Sequence, residues 1–256
     1  MASISDSDFD DKRLIARVED AIRLTERRGF ARFVGFFDER QTAMLKNHLR
    51  RSHPQLLFRF DGGHPQAERV MLGVFPDEVQ QEESVFPFVA IRFDYRLQAA
   101  VTHRDVLGSV LACGIERDTI GDIVIADGYA IVFVTEELAA FVADSVDTIG
   151  REGVKATFPF TGNVPPIHRF APLDGTVASP RLDAVLKVLI GVSREQAVEW
   201  IRSDRVRVDH VTQSSASFTV REGAIISVSG YGRFVIDDLS ALSKKGRVIL
   251  RARKFV

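Results

Sequence analysis

The chain has 256 residues, of which 45% are hydrophobic and 27% charged, and its formal net charge is −1. The length suits one large domain or two to three small ones. No apolar run approaches the roughly 20 residues of a membrane-spanning helix, the start MASISDSDFDDK is unlike a secretory signal, and one cysteine excludes an internal disulfide or a cysteine-based zinc site. We therefore expect a cytoplasmic protein with no metal or cofactor.

The first part of the chain, residues 1–78, is predicted to form a small α/β domain. Apolar residues at helical spacing indicate a helix over 13–28, and the strand-like run FARFVGFF follows it. Asp38 is placed to cap a second helix over about residues 39–51. Two further apolar runs flank a glycine turn and read as a strand pair.

Residues 79–160 are predicted to form a second domain with the order βαββαβ. A strand precedes a helix over 103–114, two strands meet at the tight turn Asp127-Gly128, and a helix over 136–149 leads to a closing strand. This order is the ferredoxin-like arrangement that RNA-recognition modules also use. Tyr129 and Phe133 share one strand face, and we expect them in the core rather than on a base-stacking platform.

Residues 161–178 contain prolines and glycines without periodicity, and we expect a linker. The segment 179–256 then begins with Ser179 as a predicted N-cap and Pro180 at the first helical position. A second helix is expected after Ser193, and VRV, SFTV and AIISV read as short strands. The whole chain is thus predicted to be of the α+β class, with a basic extension at its C-terminal end.

The charge of the chain is divided unevenly. Residues 179–256 hold 14 Lys and Arg against 8 acidic residues, a net charge of +6, and the remainder carries −7. A basic module on an acidic body indicates nucleic acid as a partner, and a patch of arginines suits structured RNA, which is recognised through phosphates and shape. The candidate RNA-binding residues are Arg181, Lys187, Arg194, Arg202, Arg205, Arg207, Tyr231, Arg233, Lys244, Lys245 and Arg247.

The C-terminal segment resembles the S4 RNA-binding domain over about 60 residues. The resemblance rests on Arg181-Leu182-Asp183, Ser193-Arg194, the apolar positions of the second helix, and Glu222-Gly223 before Ile225-Ile226. The family commonly has Gly where Asp204 stands and Asn near Asp209. These two departures concern the geometry of a turn and one contact that faces RNA.

A longer resemblance spans nearly the whole chain in order. The runs FVGFFDERQ, FDGGHPQAER, HRDVLGSVLACGIERDTIGDIVI, IGREGV and GYGRF are similar to those of the YlmH-type family of bacterial S4-domain proteins. The resemblance implies a cytoplasmic RNA-binding protein that associates with the ribosome, related to RqcP, which binds the large subunit and peptidyl-tRNA in ribosome-associated quality control. The partners implied are rRNA, tRNA and the large subunit, with no membrane, and we expect a monomer.

Enzyme classes receive less support from the sequence. The triplet His103-Arg104-Asp105 is that of kinase catalytic loops, but the position of the magnesium-binding Asn is Val110 and no glycine-rich loop precedes it. Cys113 lies near a predicted helix C-terminus, where the helix dipole opposes a thiolate. An RNA-modifying enzyme, such as a pseudouridine synthase or a methyltransferase, would need a catalytic domain that we do not find. A protein-interaction module in cell division is the remaining alternative.

Overall fold

A computed structural model describes residues 6–243 and 246–256 of the chain. The chain divides into two compact units, of which the first ends at Ile167 and the second spans His168–Val256. Both units contain helices and strands, and the second unit is richer in strand than in helix. The predicted α+β class is confirmed.

The first unit begins with a three-stranded antiparallel sheet of order β1-β3-β2. Its elements are α1 (Asp6–Arg28), β1 (Arg32–Phe37), α2 (Glu39–Ser52), β2 (Leu57–Asp61), β3 (Val70–Phe75) and α3 (Glu78–Glu83). Asp38 caps α2 as predicted, in a capping box with Gln41. Helices α1 and α2 bury Val18, Leu45 and Leu49 in one core cluster.

The same unit continues with the predicted βαββαβ order. Its elements are β4 (Phe88–Asp94), α4 (His103–Leu111), a 3-10 turn (Arg117–Thr119), β5 (Ile120–Ala126), β6 (Tyr129–Thr135), α5 (Glu136–Ser145), β7 (Thr148–Ile149), β8 (Glu152–Gly153) and β9 (Lys155–Thr157). The sheet order β5-β6-β4-β9, antiparallel throughout, is the ferredoxin-like order. Helix α5 ends before the predicted residue 149, because the chain turns there into the β7-β8 hairpin.

The two faces of this four-stranded sheet are covered differently. Helices α4 and α5 pack on one face around Val106 and Val142. The other face is covered by side chains from before β4, among them Phe36 and Met71, which lie in one cluster with Phe133, and by apolar side chains from residues 160–167. Phe133 is 4% exposed, as the sequence predicts for a core residue. Tyr129 is half-buried, and the Arg92 guanidinium lies 3.9 Å from the centre of its ring.

A buried polar network also joins the three-stranded sheet to the four-stranded sheet. The carboxylate of Asp122, 6% exposed, accepts the backbone N–H groups of Glu68 at 2.8 Å and Arg69 at 3.0 Å, and lies 3.0 Å from Nε2 of His64. The Arg69 guanidinium donates to backbone carbonyls, including that of Ile120. Burial lowers the pKa of Arg117, which donates to the same carbonyl, to about 10. The predicted boundary at residue 78 therefore lies inside one packed unit.

The second unit is a six-stranded antiparallel sheet of order β10-β15-β14-β13-β11-β12, with two helices on one face. Its elements are β10 (Phe170–Val177), α6 (Leu182–Ile190), α7 (Arg194–Arg202), β11 (Val206–Val208), β12 (Val211–Thr212), β13 (Ile225–Val228), β14 (Gly232–Asp238) and β15 (Val248–Phe255). Leu182, Ala197, Ile226 and Phe234 are buried in its core.

Three predictions for this unit are wrong. Much of the predicted linker 161–178 is strand β10, which pairs with β15 from Phe170↔Phe255 to Val177↔Val248. The run SFTV is not a strand, since only Thr219 pairs there, in an isolated bridge with Arg181. The N-cap of α6 is Arg181 rather than Ser179.

Candidate nucleic-acid interface

Arg181 and Arg194 converge on the buried carboxylate of Asp183. Arg181 immediately precedes α6 and Arg194 is the first residue of α7, so the packing of the two helices brings both guanidinium groups to one place. The Arg181 Nε lies 3.2 Å from Oδ1 of Asp183, and the Arg194 Nη2 lies 2.9 Å from Oδ2. The Asp183 side chain is 3% exposed, whereas those of Arg181 and Arg194 are 40% and 59% exposed. The carboxylate thus holds two arginines that still face water.

The charge state of Asp183 follows from this arrangement. Burial alone would raise its pKa, but the hydrogen bonds from Arg181 and Arg194, together with their positive charge, outweigh burial and leave the pKa below its ordinary value. Asp183 is therefore ionised at neutral pH, and the three side chains together carry one net positive charge. We name them the Asp183 cluster.

The N-terminus of α6 is less open to anions than its position suggests. Its first N–H groups would ordinarily be free to meet a phosphate. Here the N–H of Leu182 donates to the carbonyl of Phe218 at 2.8 Å, and the N–H of Asp183 to that of Ala216 at 3.1 Å. The segment predicted as the strand SFTV thus occupies this helix end. The positive character of the site comes from arginine side chains.

Two further predicted residues lie on the helices. Lys187 is exposed and stands one turn after Asp183 on α6. Arg202 is exposed in the last turn of α7. Both positions extend the basic surface of the helical layer.

An aromatic pair links α7 to the loop between β13 and β14. The rings of Trp200 and Tyr231 meet edge to face, with their centres 5.2 Å apart. The guanidinium of Arg205 lies 4.9 Å from the centre of the Trp200 ring, in the range of a cation–π contact. Asp204, which lies between Trp200 and Arg205 in the sequence, adopts a left-handed backbone with φ of 57°. Glycine adopts this conformation most readily, which explains why the S4 family commonly has Gly at this position. Asp209 (φ 48°) and His210 (φ 67°) make the two-residue turn between β11 and β12.

Arg207 and Arg233 lie on the face of the sheet opposite the helices. Their neighbours Val206, Val208 and Phe234 are buried against α6 and α7, and side chains alternate along a strand, so both arginines point to the other side. Both residues pair in register with Ser227, which lies between them on β13. The two arginines and Arg205 line one shallow groove. The structure thus divides the predicted basic residues into a helix-side group and a sheet-side group.

The remaining predicted residues belong to the C-terminal extension. Arg247 is exposed and donates to the carbonyl of Thr176 at 3.0 Å. Lys244 and Lys245 lie outside the residues that the structure describes. The guanidinium of Arg233 lies 4.4 Å from the ring centre of Phe255, a contact between β14 and β15 that sequence reasoning missed because it depends on strand register.

The residue that sequence reasoning undervalued is Asp183. In the sequence it was noted only as part of the motif Arg-Leu-Asp. Yet Arg181 and Arg194 both stand at predicted helix starts, and an acidic residue near such arginines can indicate a buried ion pair. Trp200, the one tryptophan of the sequence, was also overlooked. Its spacing on α7 fits a core position, and only the structure places it beside Arg205.

The features that suggested catalysis have structural explanations. Thr102 is the N-cap of α4, and Asp105 completes a capping box by accepting the Thr102 backbone N–H at 2.9 Å. The triplet His103-Arg104-Asp105 thus begins a helix. Cys113 is half-buried, and burial raises the pKa of its thiol, which disfavours the nucleophilic thiolate. Within residues 6–243 and 246–256, no helix combines the length and apolar character needed to cross a membrane.

Two parts of the chain match known domain families. Residues 80–158 match the family described as "Putative RNA-binding domain in YlmH", and residues 180–226 match the S4 domain. The first match covers the βαββαβ fold, and the second covers the Asp183 cluster, α7 and the Trp200–Arg205 contact.

Two known proteins are similar over longer stretches. The protein of Bacillus subtilis (strain 168) named "Ribosome-associated protein quality control protein P2" is 27% identical over 241 residues, which are 93% of this chain and 93% of the relative. A solved structure named "Cell division protein ylmH from Streptococcus pneumoniae" shares the fold, with a TM-score of 0.52 and 22% identity over 61% of this chain and 95% of that chain.

The fold and the two matches define the class: a protein that joins a βαββαβ RNA-binding domain to an S4 domain. The order of the two matches, and the similarity to the Bacillus subtilis protein over 93% of both chains, relate the chain to YlmH-type S4-domain proteins.

Proposed function

We propose that this chain is a non-catalytic protein that docks on structured ribosomal RNA or tRNA, in association with the large ribosomal subunit. The observation that carries the proposal is the Asp183 cluster, in which Arg181 and Arg194 are held 3.2 Å and 2.9 Å from one buried carboxylate on an S4 scaffold. Held guanidinium groups lose little side-chain entropy when they meet a phosphate, and arginine matches phosphate geometry.

Further support comes from the surroundings of the cluster and from the relatives. Arg205, Arg207 and Arg233 line a basic groove, and Arg205 also makes a cation–π contact with the Trp200 ring. The Bacillus subtilis relative is named as a ribosome-associated protein of quality control. Together these observations favour a role in translation or ribosome quality control, and the proposal places the protein in the cytoplasm as a monomer.

We also propose that the chain has no catalytic role. The His-Arg-Asp triplet caps a helix and the Cys113 thiol has a raised pKa, so neither supplies a nucleophile or base. Of the two matching families, one is described as an RNA-binding domain and the other as the S4 domain, and neither description names a reaction. If this chain were an RNA-modifying enzyme, RNA from a deletion strain would lack a nucleotide modification. We expect no modification to be lost.

Sedimentation with purified ribosomal subunits tests the proposal. Arg205→Glu should release the protein from the large subunit, as should Arg194→Glu. Because a glutamate at position 194 would face Asp183, Arg194→Gln is tested beside it to separate weakened binding from local repulsion. Arg221→Glu, at an exposed position of the same unit, is the matched control and should still sediment with the subunit.

The salt dependence of binding adds a second readout. Removing one ion pair between an arginine and an RNA phosphate should reduce the slope of log affinity against log salt by about 0.9. Unchanged co-sedimentation of Arg194→Gln and Arg205→Glu would contradict docking through the S4 domain. Crosslinking in cells, followed by sequencing of the attached RNA, then identifies whether the RNA is ribosomal RNA or tRNA.

A further inference from the structure

Glu19, His48 and His53 form a cluster in the first unit. The Nε2 of His48 lies 2.7 Å from Oε1 of Glu19, and the Nε2 of His53 lies 3.0 Å from Oε1 and 3.1 Å from Oε2. One potential ligand atom from each residue lies within 4.8 Å of the other two. The three side chains are 25–26% exposed, so the cluster sits at the surface without being fully solvated.

The packing of α1 on α2 creates this arrangement. Val18 of α1 and Leu49 of α2 are both fully buried in one core cluster, and their sequence neighbours Glu19 and His48 lie at its rim. His53 is the C-cap of α2, and its backbone N–H donates to the carbonyl of Leu49 at 2.8 Å, which fixes its position beside His48. The four residues between His48 and His53 fit one half of a zinc-ligand spacing, but no cysteine pair accompanies them and Glu19 comes from another helix, so sequence reasoning missed the cluster.

We propose that Glu19, His48 and His53 bind a first-row divalent transition metal ion, with Zn²⁺ the preferred occupant. Two imidazole nitrogens and one carboxylate are a ligand set that zinc uses in proteins, with water completing the coordination. Ligand atoms around a tetrahedral zinc ion are about 3.3 Å apart for bonds of about 2.05 Å. The two distances from histidine nitrogen to Glu19 Oε1, 2.7 Å and 3.0 Å, are hydrogen-bond distances, and entry of a metal ion would lengthen them by about 0.3–0.6 Å to reach that spacing.

The ligand chemistry also decides between metals. Imidazole nitrogen suits Zn²⁺, Cu²⁺ and Ni²⁺, whereas Mg²⁺ and Ca²⁺ require more oxygen ligands than one carboxylate provides. The expected order of affinity therefore places Zn²⁺ well above Mg²⁺. Copper binds such ligand sets tightly in a test tube, and it serves as a positive control for the histidines.

The surroundings leave room for the remaining ligand to be water. His53 lines a cleft together with Thr25, Glu26 and Leu56. Thr25 is 2% exposed, and its Oγ1 has no hydrogen-bond partner within the described part of the chain.

Metal binding to the full-length, untagged protein tests the proposal. After removal of metal with a chelator, Zn²⁺ is titrated in competition with a chromogenic indicator. We expect one equivalent of Zn²⁺ per chain, and at least tenfold weaker binding for His48→Gln, for His53→Gln and for Glu19→Gln. His103→Gln removes an exposed histidine elsewhere in the same unit and is the matched control; its affinity should stay within twofold of wild type.

A simple hydrogen-bonded cluster predicts a different outcome. In that case wild type and the double variant His48→Gln/His53→Gln would bind Zn²⁺ equally, and this result would overturn the proposal. Circular dichroism of each variant establishes that it is folded. If the histidine variants unfold, Glu19→Gln keeps the test open, because glutamine can still accept hydrogen bonds from both imidazoles while it weakens the metal site. Saturation with Mg²⁺ should leave Zn²⁺ binding unchanged.

Discussion

The carboxylate of Asp183 lies 2.9 Å from the guanidinium of Arg194, although the two residues belong to different helices. The contact ties the start of α7 to the start of α6 and holds Arg181 at the same point. A single buried acid thus determines where two of the basic side chains of the S4 domain stand. If the Asp183 cluster binds RNA as proposed, we expect stability and RNA binding to be coupled at this residue.

Asp183→Asn should lower the stability of the second unit by about 1–2 kcal/mol at neutral pH. Losing a buried charged partner would cost more, but both arginines are more than a third exposed and can be resolvated. Urea unfolding followed by Trp200 fluorescence measures this unit, since Trp200 is the one tryptophan of the sequence. Asp174→Asn, at an exposed position on β10, is the control and should change stability by less than about 0.5 kcal/mol.

The effect of Asp183 should depend on pH in one direction. The folded-state pKa of Asp183 is lower than its ordinary value, so its contribution is fully present above the unfolded pKa and is lost as the pH falls through the folded one. The stability difference between wild type and Asp183→Asn should therefore be constant from neutral pH to about 5 and shrink below about 3.9. A difference that grows on acidification would contradict this interpretation of the cluster.

Binding of structured RNA should change the fluorescence of Trp200. The indole lies beside Arg205, and an incoming phosphate or base would alter this contact. Arg205→Ala should weaken RNA binding about fivefold, or about 1 kcal/mol, through the loss of one cationic group at the RNA surface. Arg221→Ala serves as the control of equal charge change. An unaltered emission spectrum at saturating RNA would place the bound RNA away from the Trp200 side of the domain.

Asp204→Gly should stabilise the second unit by about 0.5–1 kcal/mol. Asp204 holds a left-handed backbone, with φ of 57°, that is costly for a residue with a Cβ atom. Asp209→Gly is the informative comparison because its φ of 48° is equally left-handed, yet its Oδ1 accepts the N–H of Ile225 at 2.9 Å. The loss of that hydrogen bond should cancel the gain. Equal stabilisation by both variants, in chemical denaturation, would mean that backbone conformation alone matters.

Asp122→Asn should open the segment 64–70 locally. An amide group offers one acceptor oxygen in place of the carboxylate that now accepts from Glu68 and Arg69, so a buried donor loses its partner at a cost of about 1–3 kcal/mol. Hydrogen exchange of the peptide that contains both amides should accelerate about 10- to 100-fold. Asp127→Asn, in the exposed turn between β5 and β6, should leave the exchange of that peptide unchanged.

Local patterns in the sequence predict much of the fold. Apolar spacing at Leu182, Val185 and Leu186 places the buried face of α6, and the alternation around Val206 and Val208 places β11. The order βαββαβ is also visible, because each of its elements carries its own periodicity and turn residues. These features depend on neighbours in the chain, which a single sequence contains.

Contacts between distant segments account for what the sequence does not reveal. Strand β10 contains Pro172 and Gly175 and reads as a loop, but Pro172 is tolerated on an edge strand. At Gly175 a Cβ atom would lie 2.4 Å from Cγ1 of Val188, so glycine is required there by packing rather than by a turn. Likewise, Arg207 and Arg233 become neighbours of Ser227 only through the register of three strands.

The covered face of the βαββαβ sheet limits how this protein can be divided. Phe36, Met71 and Phe75 come from before residue 78, and they pack in one cluster with Ile131 and Phe133 of the sheet. A truncation at residue 78 would leave this apolar surface in water, and the fragment would self-associate. The N-terminal elements therefore complete the core of the domain that follows them, and we expect a stable fragment of the first unit to include both.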